Sequence, residues 1–314
     1  MTDWYPAPLP SQEGRRFLVT GANAGIGFFT SARLAGAGAQ VVMTGRSTER
    51  VERAAGAIRE RLEAGAGHEV GGSIETLVID QASLDSVAAG AAALLAGDPF
   101  DGIALNAGMV HTPRRRETSA DGHELVLATN TLGAFALHAR LLGHVRADAR
   151  IVTLGSLSTQ LSTFRLDDLE LTRSYDSWRA YAQSKIANHA LAFELDRRLR
   201  GIGAPLRSVV AHPGYSTSGR TPYVPGVNEP TRGKRFADEL QGAWAQGKHR
   251  GAEVVLHALT ADGVEGGQFW GPRHRTKGAP ALARPTRTST DPSIGARVWA
   301  FAEQATGVRH GLVG

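Results

Sequence analysis

Tyr181 and Lys185 stand four residues apart in the run Tyr-Ala-Gln-Ser-Lys, near the start of a stretch with helical periodicity. On a helix this spacing places both side chains on one face, with their Cβ atoms roughly 5 to 6 Å apart. A lysine ammonium at that distance favours the phenolate and is expected to lower the tyrosine pKa by about two units. Such a phenol can act as a general acid and base. An ordinary amphipathic helix with a solvated lysine is the alternative, but lysine is scarce: there are four among the 35 Lys and Arg residues.

A glycine-rich segment, residues 20–27, follows the first predicted strand and opens the first predicted helix. Glycines let the backbone turn tightly and approach a pyrophosphate, while the helix N-terminus offers N–H groups and a positive dipole to the phosphates. Glycine spacing alone is weak evidence in a chain with 38 glycines, so the position after a strand carries the prediction. The residues predicted to bind a dinucleotide here are Gly21, Asn23, Ala24, Gly25, Ile26 and Gly27.

The second predicted strand ends with Gly45 followed by Arg46. An acidic side chain at this point would hydrogen-bond the ribose 2′-hydroxyl of NAD, whereas glycine and arginine leave space and positive charge for the 2′-phosphate of NADP. The sequence therefore favours NADP over NAD. A surface arginine without a partner is the alternative for Arg46, because arginine is abundant in this chain.

Composition limits the classes of protein that the chain can form. Its 314 residues are 42% hydrophobic and 21% charged, which suits a packed core and does not indicate disorder. The absence of cysteine excludes disulfides, thiolate metal sites and a cysteine nucleophile, and we predict no metal site. The formal charge of +5 comes from scattered arginines, which suits an anionic cofactor and shows no concentrated face for nucleic acid.

Neither a signal peptide nor a membrane span is evident. Residues 1–10 lack a positively charged segment followed by an apolar one. No run approaches the roughly 18 apolar residues of a membrane span. We therefore expect a soluble, cytoplasmic protein without membrane contact.

Short apolar runs alternate with segments of helical periodicity along the chain. This alternation predicts an α/β fold with a doubly wound parallel sheet and helices on both faces, the Rossmann arrangement. No repeat or linker divides the chain, so residues 1–314 are predicted to form a single domain. The predicted strands are 16–20, 40–44, 75–79, 102–105, 150–154 and 206–211, and the predicted helices lie near 25–36, 48–64, 83–96, 121–145 and 178–200.

Residues 216–251 differ in character from the rest of the chain. Three prolines come early in this segment, and a helical stretch ends near Trp244. Long excursions of this kind near a site often form lids, so we predict a substrate lid after the sixth strand. A surface loop that packs on its own is the alternative.

The chain resembles the short-chain dehydrogenase/reductase family. Seven elements match in the family's order and with compatible spacing, over about 200 residues. They are the glycine motif, Asp80 after the third strand, Asn106-Ala107-Gly108 after the fourth, Asn130 in the following helix, Ser156 after the fifth, Tyr181 with Lys185, and Pro213-Gly214 after the sixth. This combination is far more specific than any single motif.

Within the family, the chain is most similar to the retinol-dehydrogenase-like and WW-domain-oxidoreductase-like group and its bacterial relatives. The similarity rests on residues 121–135, on the 25-residue separation of Ser156 and Tyr181, and on the run His-Pro-Gly-Tyr that ends at Tyr215. The tail, about residues 267–314, is similar to that of bacterial daunorubicin-type ketoreductases. That likeness hints at bulky ketone substrates.

The resemblance implies roles for four catalytic residues. Tyr181 would protonate the carbonyl oxygen as hydride arrives from the nicotinamide, and Ser156 would hydrogen-bond the same oxygen. Lys185 would lower the tyrosine pKa and bind the nicotinamide ribose, and Asn130 would hold a water that links Lys185 to solvent. A donor and a proton source at an oxygen that becomes an alkoxide agree with this chemistry. The further cofactor-binding residues implied are Asp80, Gln81, Asn106, Ala107, Gly108, Pro213, Gly214 and Thr217.

Several of these residues have rivals or simpler explanations. Ser158 competes with Ser156, and the 25-residue spacing to Tyr181 favours Ser156. Tyr175 has an arginine, not a lysine, four residues on, so Tyr181 is preferred. Asn130 could satisfy backbone groups inside its helix, and Asp80 could cap the helix that starts near residue 83.

Three positions depart from the family pattern. Gly155 stands where a serine usually precedes the catalytic serine, Leu105 replaces the first asparagine of a common Asn-Asn-Ala-Gly form, and Gln81 replaces a frequent leucine. None of these changes removes a catalytic group. The three arginines at 114–116 lie on the loop after the fourth strand, where solvent exposure is favoured over contact with an acidic substrate.

Taken together, these features predict an NADP(H)-dependent oxidoreductase of the carbonyl reductase or alcohol dehydrogenase type. Its expected partner is a small lipophilic ketone, aldehyde or secondary alcohol, and a homo-oligomer is possible. A non-catalytic NADP(H)-binding sensor on the same fold is the alternative, although such proteins commonly lose the tyrosine or lysine. An epimerase or dehydratase of the extended branch is disfavoured, because its glycine spacing differs and its C-terminal domain is larger.

Overall fold

A computed structural model describes residues 9–64 and 72–311 of the protein. Residues 1–8 lie outside this description. They belong to the segment 1–10, in which the sequence analysis found no signal peptide. Over the described residues, eight strands form one sheet and two short strands form another. The strands are β1 (Arg16–Val19), β2 (Gln40–Gly45), β3 (Ser73–Val78), β4 (Phe100–Leu105), β5 (Val145–Leu154), β6 (Arg207–Ala211), β7 (Ser216–Thr217), β8 (Gln246–Gly247), β9 (Phe269–Pro272) and β10 (Pro280–Leu282).

The main sheet has the order β10-β9-β6-β5-β4-β1-β2-β3. Neighbouring strands run parallel from β3 to β9, and β10 is antiparallel at the edge. The strand order reverses between β1 and β4, where the carboxyl ends of the strands open a crevice. The helices are α1 (Gly25–Gly36), α2 (Thr48–Ala64), α3 (Leu84–Leu95), α4 (Leu125–Leu127), α5 (Gly133–Leu141), α6 (Ser177–Gly201), α7 (Arg232–Glu239), α8 (Lys248–Thr260), α9 (Arg287–Thr290) and α10 (Pro292–Thr306).

The sheet has an apolar core on each face. Strands β1 and β4 are buried along their whole length, which suits continuous apolar runs in a sheet covered on both sides. One core contains Phe29 from α1 and Leu259 from α8. The other contains Phe135 from α5 and Trp299 from α10. The two layers of helices hold the strands so that their carboxyl ends form one edge.

The predicted fold class, a doubly wound and mostly parallel sheet with helices on both faces, is confirmed. Strands β9 and β10 were not predicted. β9 pairs with β6 through only two residues, Phe269 and Trp270, and then reaches a glycine and a proline. A strand this short shows no clear alternation of apolar and polar residues, so the sequence does not reveal it. The β10 strand adds an antiparallel edge to a sheet that was predicted to be parallel.

The predicted helix 121–145 is interrupted in the structure. It consists of α4, a π-helical turn (Ala128–Leu132), α5 and a final 3₁₀ turn (Leu142–His144). By length and composition, Leu125–His144 could cross a membrane, although the sequence analysis found no such run. About two-thirds (67%) of its most apolar window is buried inside the fold. Packing in the core accounts for this composition, and the absence of membrane contact stays a prediction.

Two buried histidines make folding stability depend on pH. The rings of His138 and His310 lie 4.7 Å apart, beside Phe135 and Trp299. Burial lowers the pKa of His138 to about 3 and that of His310 to about 2, whereas a histidine in an unfolded chain has a pKa of about 6.5. Below pH about 6.5, the two histidines therefore bind more protons in the unfolded chain than in the folded chain. The contribution of the two neutral histidines to folding stability is fully present above pH about 6.5 and is lost as the pH falls below it.

We expect the variant His310→Phe to weaken this pH dependence. Phenylalanine keeps an aromatic ring beside Phe135 and Trp299 but binds no proton. Between pH 6.5 and 4.5, the free energy of unfolding should fall less steeply than in the wild type, by about 1.4 kcal/mol per pH unit. Urea titrations at several pH values measure both slopes, and a titration at pH 8 isolates the packing effect. Equal slopes in the two proteins would contradict the prediction.

Candidate active site

Helix α6 carries both members of the predicted tyrosine and lysine pair. The helix begins after Asp176, whose carboxylate accepts a hydrogen bond from the backbone N–H of Arg179 and caps the first turn. Its central residues are buried against β5, β6 and α10. The four-residue spacing directs Tyr181 and Lys185 to the carboxyl end of β5. The helix therefore places both groups on one face, as predicted.

Ser156 lies two residues beyond β5, and its Oγ is 3.4 Å from the hydroxyl of Tyr181. The same Oγ accepts hydrogen bonds from the backbone N–H (3.1 Å) and the hydroxyl (3.0 Å) of Ser158. Because the Oγ of Ser156 accepts these bonds, its own proton can be donated to a substrate oxygen. Ser158 is buried and directs its hydroxyl to Ser156. The geometry thus favours Ser156 over its rival.

Lys185 is buried, and its Nζ donates to the carbonyl oxygen of Leu154 at 2.8 Å. Burial lowers the pKa of Lys185 to about 8. Burial also raises the pKa of Tyr181, and the hydrogen bond with Ser156 opposes that rise. The prediction that Lys185 lowers the pKa of Tyr181 is wrong for the chain by itself. Removal from water disfavours the charged form of both groups, and the ammonium is directed at Leu154.

Asn130 lies inside the π-helical turn, a rare feature that is often found at functional sites. Its Oδ1 accepts from the backbone N–H of Met109 at 2.6 Å, and its Nδ2 donates to Ser184 Oγ at 3.0 Å. A Cβ at Gly108 would lie 3.2 Å from this Oδ1 and 3.7 Å from Lys185 Nζ. Asn130 therefore holds the loop after β4 beside Lys185, and its predicted role in binding a water stays a prediction.

The glycine-rich segment forms the turn from β1 into α1. Gly21 and Gly25 both have φ of +62°, which favours glycine. A Cβ at Gly21 would lie 2.7 Å from the Cα of Ala107, and one at Gly27 would collide with the side chain of Asn106. Helix α1 begins without a side-chain cap or an acidic residue in its first turn. Its first N–H groups therefore suit a phosphate.

The loop after β4 is tied to this turn by hydrogen bonds. The Nδ2 of Asn106 donates to the carbonyl oxygen of Thr20 at 2.7 Å. The Oγ1 of Thr20 in turn accepts from the backbone N–H groups of Asn106 (3.0 Å) and Ala107 (2.9 Å). These bonds bring the two segments together at the point where the strand order reverses. Gly21, Asn106 and Ala107 thus lie in one place, as predicted.

The end of β2 lies beside the glycine turn. A Cβ at Gly45 would lie only 3.0 Å from the Oδ1 of Asn23. An acidic residue at position 45 would therefore need Asn23 to move. The side chain of Arg46 is exposed next to this point. The end of β2 therefore has little room for the carboxylate that would bind the ribose of NAD. The next residue, Arg46, places a positive charge there.

The residues after β3 lie at the same edge of the sheet, next to the end of β2. The carboxylate of Asp80 accepts from the backbone N–H of Ala82 at 2.9 Å, and Ser83, not Asp80, caps α3. Gln81 is buried and packs on Gly133. Among the described residues, its side-chain amide has no hydrogen-bond partner. An unpartnered buried amide of this kind fits a bound polar group such as an adenine.

The predicted residues after β6 form a turn with defined backbone contacts. Gly214 has φ of +68°, and a Cβ there would collide with the carbonyl oxygen of Thr276. The carbonyl oxygen of Pro213 accepts from Ser216 Oγ and from Gln246 Nε2, each at 2.9 Å. Thr217 is buried in β7, which pairs with β8.

The predicted lid, residues 216–251, folds as β7, α7 and β8 and then enters α8. Asp238 of α7 is fully buried and accepts from the backbone N–H of Gly219 at 2.7 Å. On the outer side of α7, Phe236 and Leu240 are exposed. The segment is thus anchored by one buried carboxylate and carries apolar side chains on its surface.

Two other predicted features lie apart from the central group. The hydroxyl of Tyr175 donates to the carbonyl oxygen of Pro113 at 3.1 Å, and burial raises its pKa to about 12. The arginines at positions 114 and 115 are exposed, whereas Arg116 pairs with Glu170 at 3.5 Å. Neither Tyr175 nor the arginine run contributes a group next to Ser156.

Three side chains at the site were not identified from the sequence. Ser184 bonds Asn130, and His189 accepts from the backbone N–H of Ser156 at 3.3 Å. The aliphatic chain and Nζ of Lys248 would lie 3.4 and 3.7 Å from a Cβ at Gly25. His189 follows Lys185 by four residues, so helical periodicity could have revealed it. No local pattern connects Lys248 with the glycine turn.

The sheet order, the glycine turn and the group of Tyr181, Lys185 and Ser156 at one edge are features of a dinucleotide-binding oxidoreductase. Comparison with known proteins agrees with this class. A family model for short chain dehydrogenase matches residues 15–224. The retinol dehydrogenase 14 of Mus musculus is 32% identical over 305 residues, covering 94% of this chain and 86% of the relative. The polyprenol dehydrogenase of Mus musculus is 33% identical over 316 residues, covering 98% and 89%.

Solved structures are similar over most of the chain. The crystal structure of an uncharacterised protein from Mycobacterium paratuberculosis has a TM-score of 0.77 at 32% identity and covers 96% of this chain and 97% of its own. A Beutenbergia cavernae protein assigned as an NAD(P)-dependent gluconate 5-dehydrogenase, crystallised with NADP at low occupancy, has a TM-score of 0.59 at 26% identity. It covers 83% of this chain and 96% of its own.

The chain belongs to the short-chain dehydrogenase family and, within it, to the retinol-dehydrogenase-like group. The fold of this family binds a nicotinamide cofactor, and its members act on small molecules. The likeness of the tail to daunorubicin-type ketoreductases stays a prediction.

Proposed function

We propose that the protein is an NADP(H)-dependent oxidoreductase that interconverts a lipophilic alcohol with its aldehyde or ketone, with Tyr181 as the general acid and base. One observation carries the proposal: the hydroxyl of Tyr181 lies 3.4 Å from the Oγ of Ser156 at the edge where the glycine turn lies. Two hydroxyls at that distance can share one substrate oxygen. The buried ammonium of Lys185 on the same helix face completes the group.

In the proposed reaction, each residue acts on a defined atom. The bound nicotinamide would supply or accept a hydride. Ser156 donates its free hydroxyl proton to the substrate oxygen and holds it beside Tyr181. Tyr181 gives its proton to that oxygen in reduction and takes it back in oxidation. Lys185, whose pKa of about 8 leaves it protonated at neutral pH, would return a proton to the phenolate that remains after reduction.

A lipophilic substrate is supported by exposed apolar side chains on the first turn of α6 and on the loops that follow β4, β5 and β6. Leu161 is 72% and Trp178 52% exposed, and the ring of Trp178 lies 6.4 Å from that of Tyr181. Val110 and Tyr215, on the loops after β4 and β6, are also exposed. Apolar groups collected around a crevice favour an apolar ligand. The mouse relatives are named for retinol and polyprenol, both alcohols with long apolar chains.

NADP is supported by the end of β2. The exposed guanidinium of Arg46 can pair with a 2′-phosphate, and Asn23 occupies the space that a carboxylate at position 45 would need. A bound NADP in the Beutenbergia cavernae relative is consistent with this choice. We further propose that residues 1–314 act as one domain, with residues 216–251 as a lid over the substrate.

Kinetics with a graded series of substrates test the proposal. NADPH and NADH consumption would be measured at matched concentrations against aldehydes and ketones that differ by single methylenes, from short chains to isoprenoids. We expect turnover with NADPH, and a kcat/KM that rises about threefold to fourfold per buried methylene. Cofactor binding without turnover across the series would instead support a non-catalytic sensor. A kcat/KM that does not depend on chain length would contradict the lipophilic substrate.

A further inference from the structure

Helix α6 presents a third side chain to the end of β5. His189 follows Lys185 by one helical turn, is fully buried, and lies with its Nε2 3.3 Å from the backbone nitrogen of Ser156. Tyr181, Lys185 and His189 therefore occupy successive turns of one helix face. Each contacts the end of β5: His189 at the Ser156 backbone, Tyr181 at the Ser156 hydroxyl, and Lys185 at the carbonyl oxygen of Leu154.

The protonation state of His189 follows from its surroundings. Burial, together with the nearby Lys185 and His212, lowers the pKa of His189 to about 3, so the ring is neutral at physiological pH. Since Nε2 accepts the N–H of Ser156, the ring proton lies on Nδ1. Among the described residues, that Nδ1 has no hydrogen-bond partner. A buried unpartnered N–H disfavours histidine relative to an apolar residue at this position. Packing alone therefore does not account for the histidine.

The absence of a side chain at Gly155 makes room for this imidazole. A Cβ at position 155 would lie 2.5 Å from the Nε2 of His189 and 2.9 Å from Cγ1 of Val210. Neither contact distance occurs between ordinary side chains, and both neighbours lie in the buried interior. The ring of His189 is further confined by Phe269, whose centroid lies 5.1 Å away. Gly155, which departs from the family pattern, thus leaves the space that the imidazole of His189 occupies.

We infer that His189 is a positioning residue that fixes the backbone of Ser156, with Gly155 as its obligatory partner, so that the Ser156 hydroxyl meets that of Tyr181. This inference rests on the proposed function. Without the imidazole, the N–H of Ser156 loses its acceptor and the residue loses one of its anchors to α6. A small displacement of a reacting group lowers the rate far more than it lowers cofactor affinity. The effect should therefore fall on kcat.

The first experiment compares His189→Leu with His189→Gln. Leucine fills the space without an acceptor, whereas the glutamine Oε1 can accept the N–H of Ser156. We expect kcat to fall about 10- to 100-fold in the leucine variant, with the KM for NADPH unchanged, and to recover substantially in the glutamine variant. His138→Leu is the matched control, because His138 is also buried but lies on α5 beside Phe135 and makes no contact with Ser156. A kcat within about twofold of wild type in His189→Leu would overturn the inference.

A second arm does not depend on turnover. Amide hydrogen exchange of the Ser156 segment should become faster in His189→Leu, with β5 residues such as Val152 as the internal reference. Unchanged protection of Ser156 would overturn the inference. If the wild type shows no turnover at all, the proposed function fails, and the exchange result still decides whether His189 holds this backbone.

The coupling of Gly155 to His189 is tested by a double substitution. Gly155→Ser should lower kcat because the new Cβ meets the imidazole. Adding His189→Ala should remove this collision, the closer of the two that the new Cβ makes, so that the double variant is more active than Gly155→Ser alone. Independent, multiplicative losses in the double variant would contradict the coupling.

Discussion

Replacing Tyr181 by phenylalanine is expected to lower turnover by about 10²- to 10⁴-fold. The substitution removes the hydroxyl that lies 3.4 Å from Ser156 Oγ and keeps the ring that lies near Trp178. Among the described residues, the only other hydroxyl that is hydrogen-bonded to the Oγ of Ser156 is that of Ser158, which is buried. A proton donor is therefore lost without a substitute. NADPH consumption under saturating substrate measures the effect on kcat.

Cofactor affinity should remain close to that of the wild type, because the glycine turn and Arg46 are untouched. The matched control is Tyr175→Phe, which removes a tyrosine hydroxyl that bonds Pro113 outside the site. The control should keep kcat within about threefold. Full turnover by Tyr181→Phe would refute the proposed general acid, and an equal loss in both variants would point to a structural effect.

The variant Arg46→Gln is expected to weaken NADPH binding about 10- to 100-fold while leaving NADH binding unchanged. Hydrogen bonds to charged groups contribute about 1.5 to 3 kcal/mol, and glutamine keeps much of the side-chain length without the positive charge. The exposed position of Arg46 at the end of β2 means that no buried contact is lost. Fluorescence titrations of both reduced cofactors give the two dissociation constants.

Arg50→Gln provides the control for this prediction. Arg50 is also exposed and lies in the first turn of α2, one turn from Arg46. It should change neither dissociation constant by more than about twofold, since exposed charges interact weakly. If Arg46→Gln weakens the binding of NADPH and of NADH equally, the arginine does not bind the 2′-phosphate.

Much of the fold could be predicted because its signals are local. The apolar run of β1 and the periodicity of α2 and α6 each lie within a few consecutive residues, and the observed bounds agree closely with those predicted. The π-helical turn around Asn130 could not be predicted, because it depends on contacts with Met109 and Ser184. The short β9 strand is likewise set by its neighbour β6.

The structure brings Ser156, Tyr181 and Lys185 together, as the sequence predicted, but the electrostatics of this group were not predicted. The spacing of Tyr181 and Lys185 on one helix face followed from periodicity, since residues four apart are neighbours on any helix. The direction of the tyrosine pKa did not follow, because burial opposes the effect of a nearby cation. The preference for Ser156 over Ser158 rested on spacing in the sequence and on distance in the structure.

The sequence alone was enough to predict the order of the first six strands and the helices between them, the glycine turn, and the residue types at the carboxyl ends of those strands. These follow from the period of apolar residues and from backbone chemistry, which act over a few positions. Two contacts could be found only in the folded molecule: His189 fills the space beside Gly155, and Lys248 lies against Gly25. Such pairs are far apart in the chain, and only packing brings them into contact. Burial, which sets the charge states of Lys185 and His189, is also a property of the packed molecule.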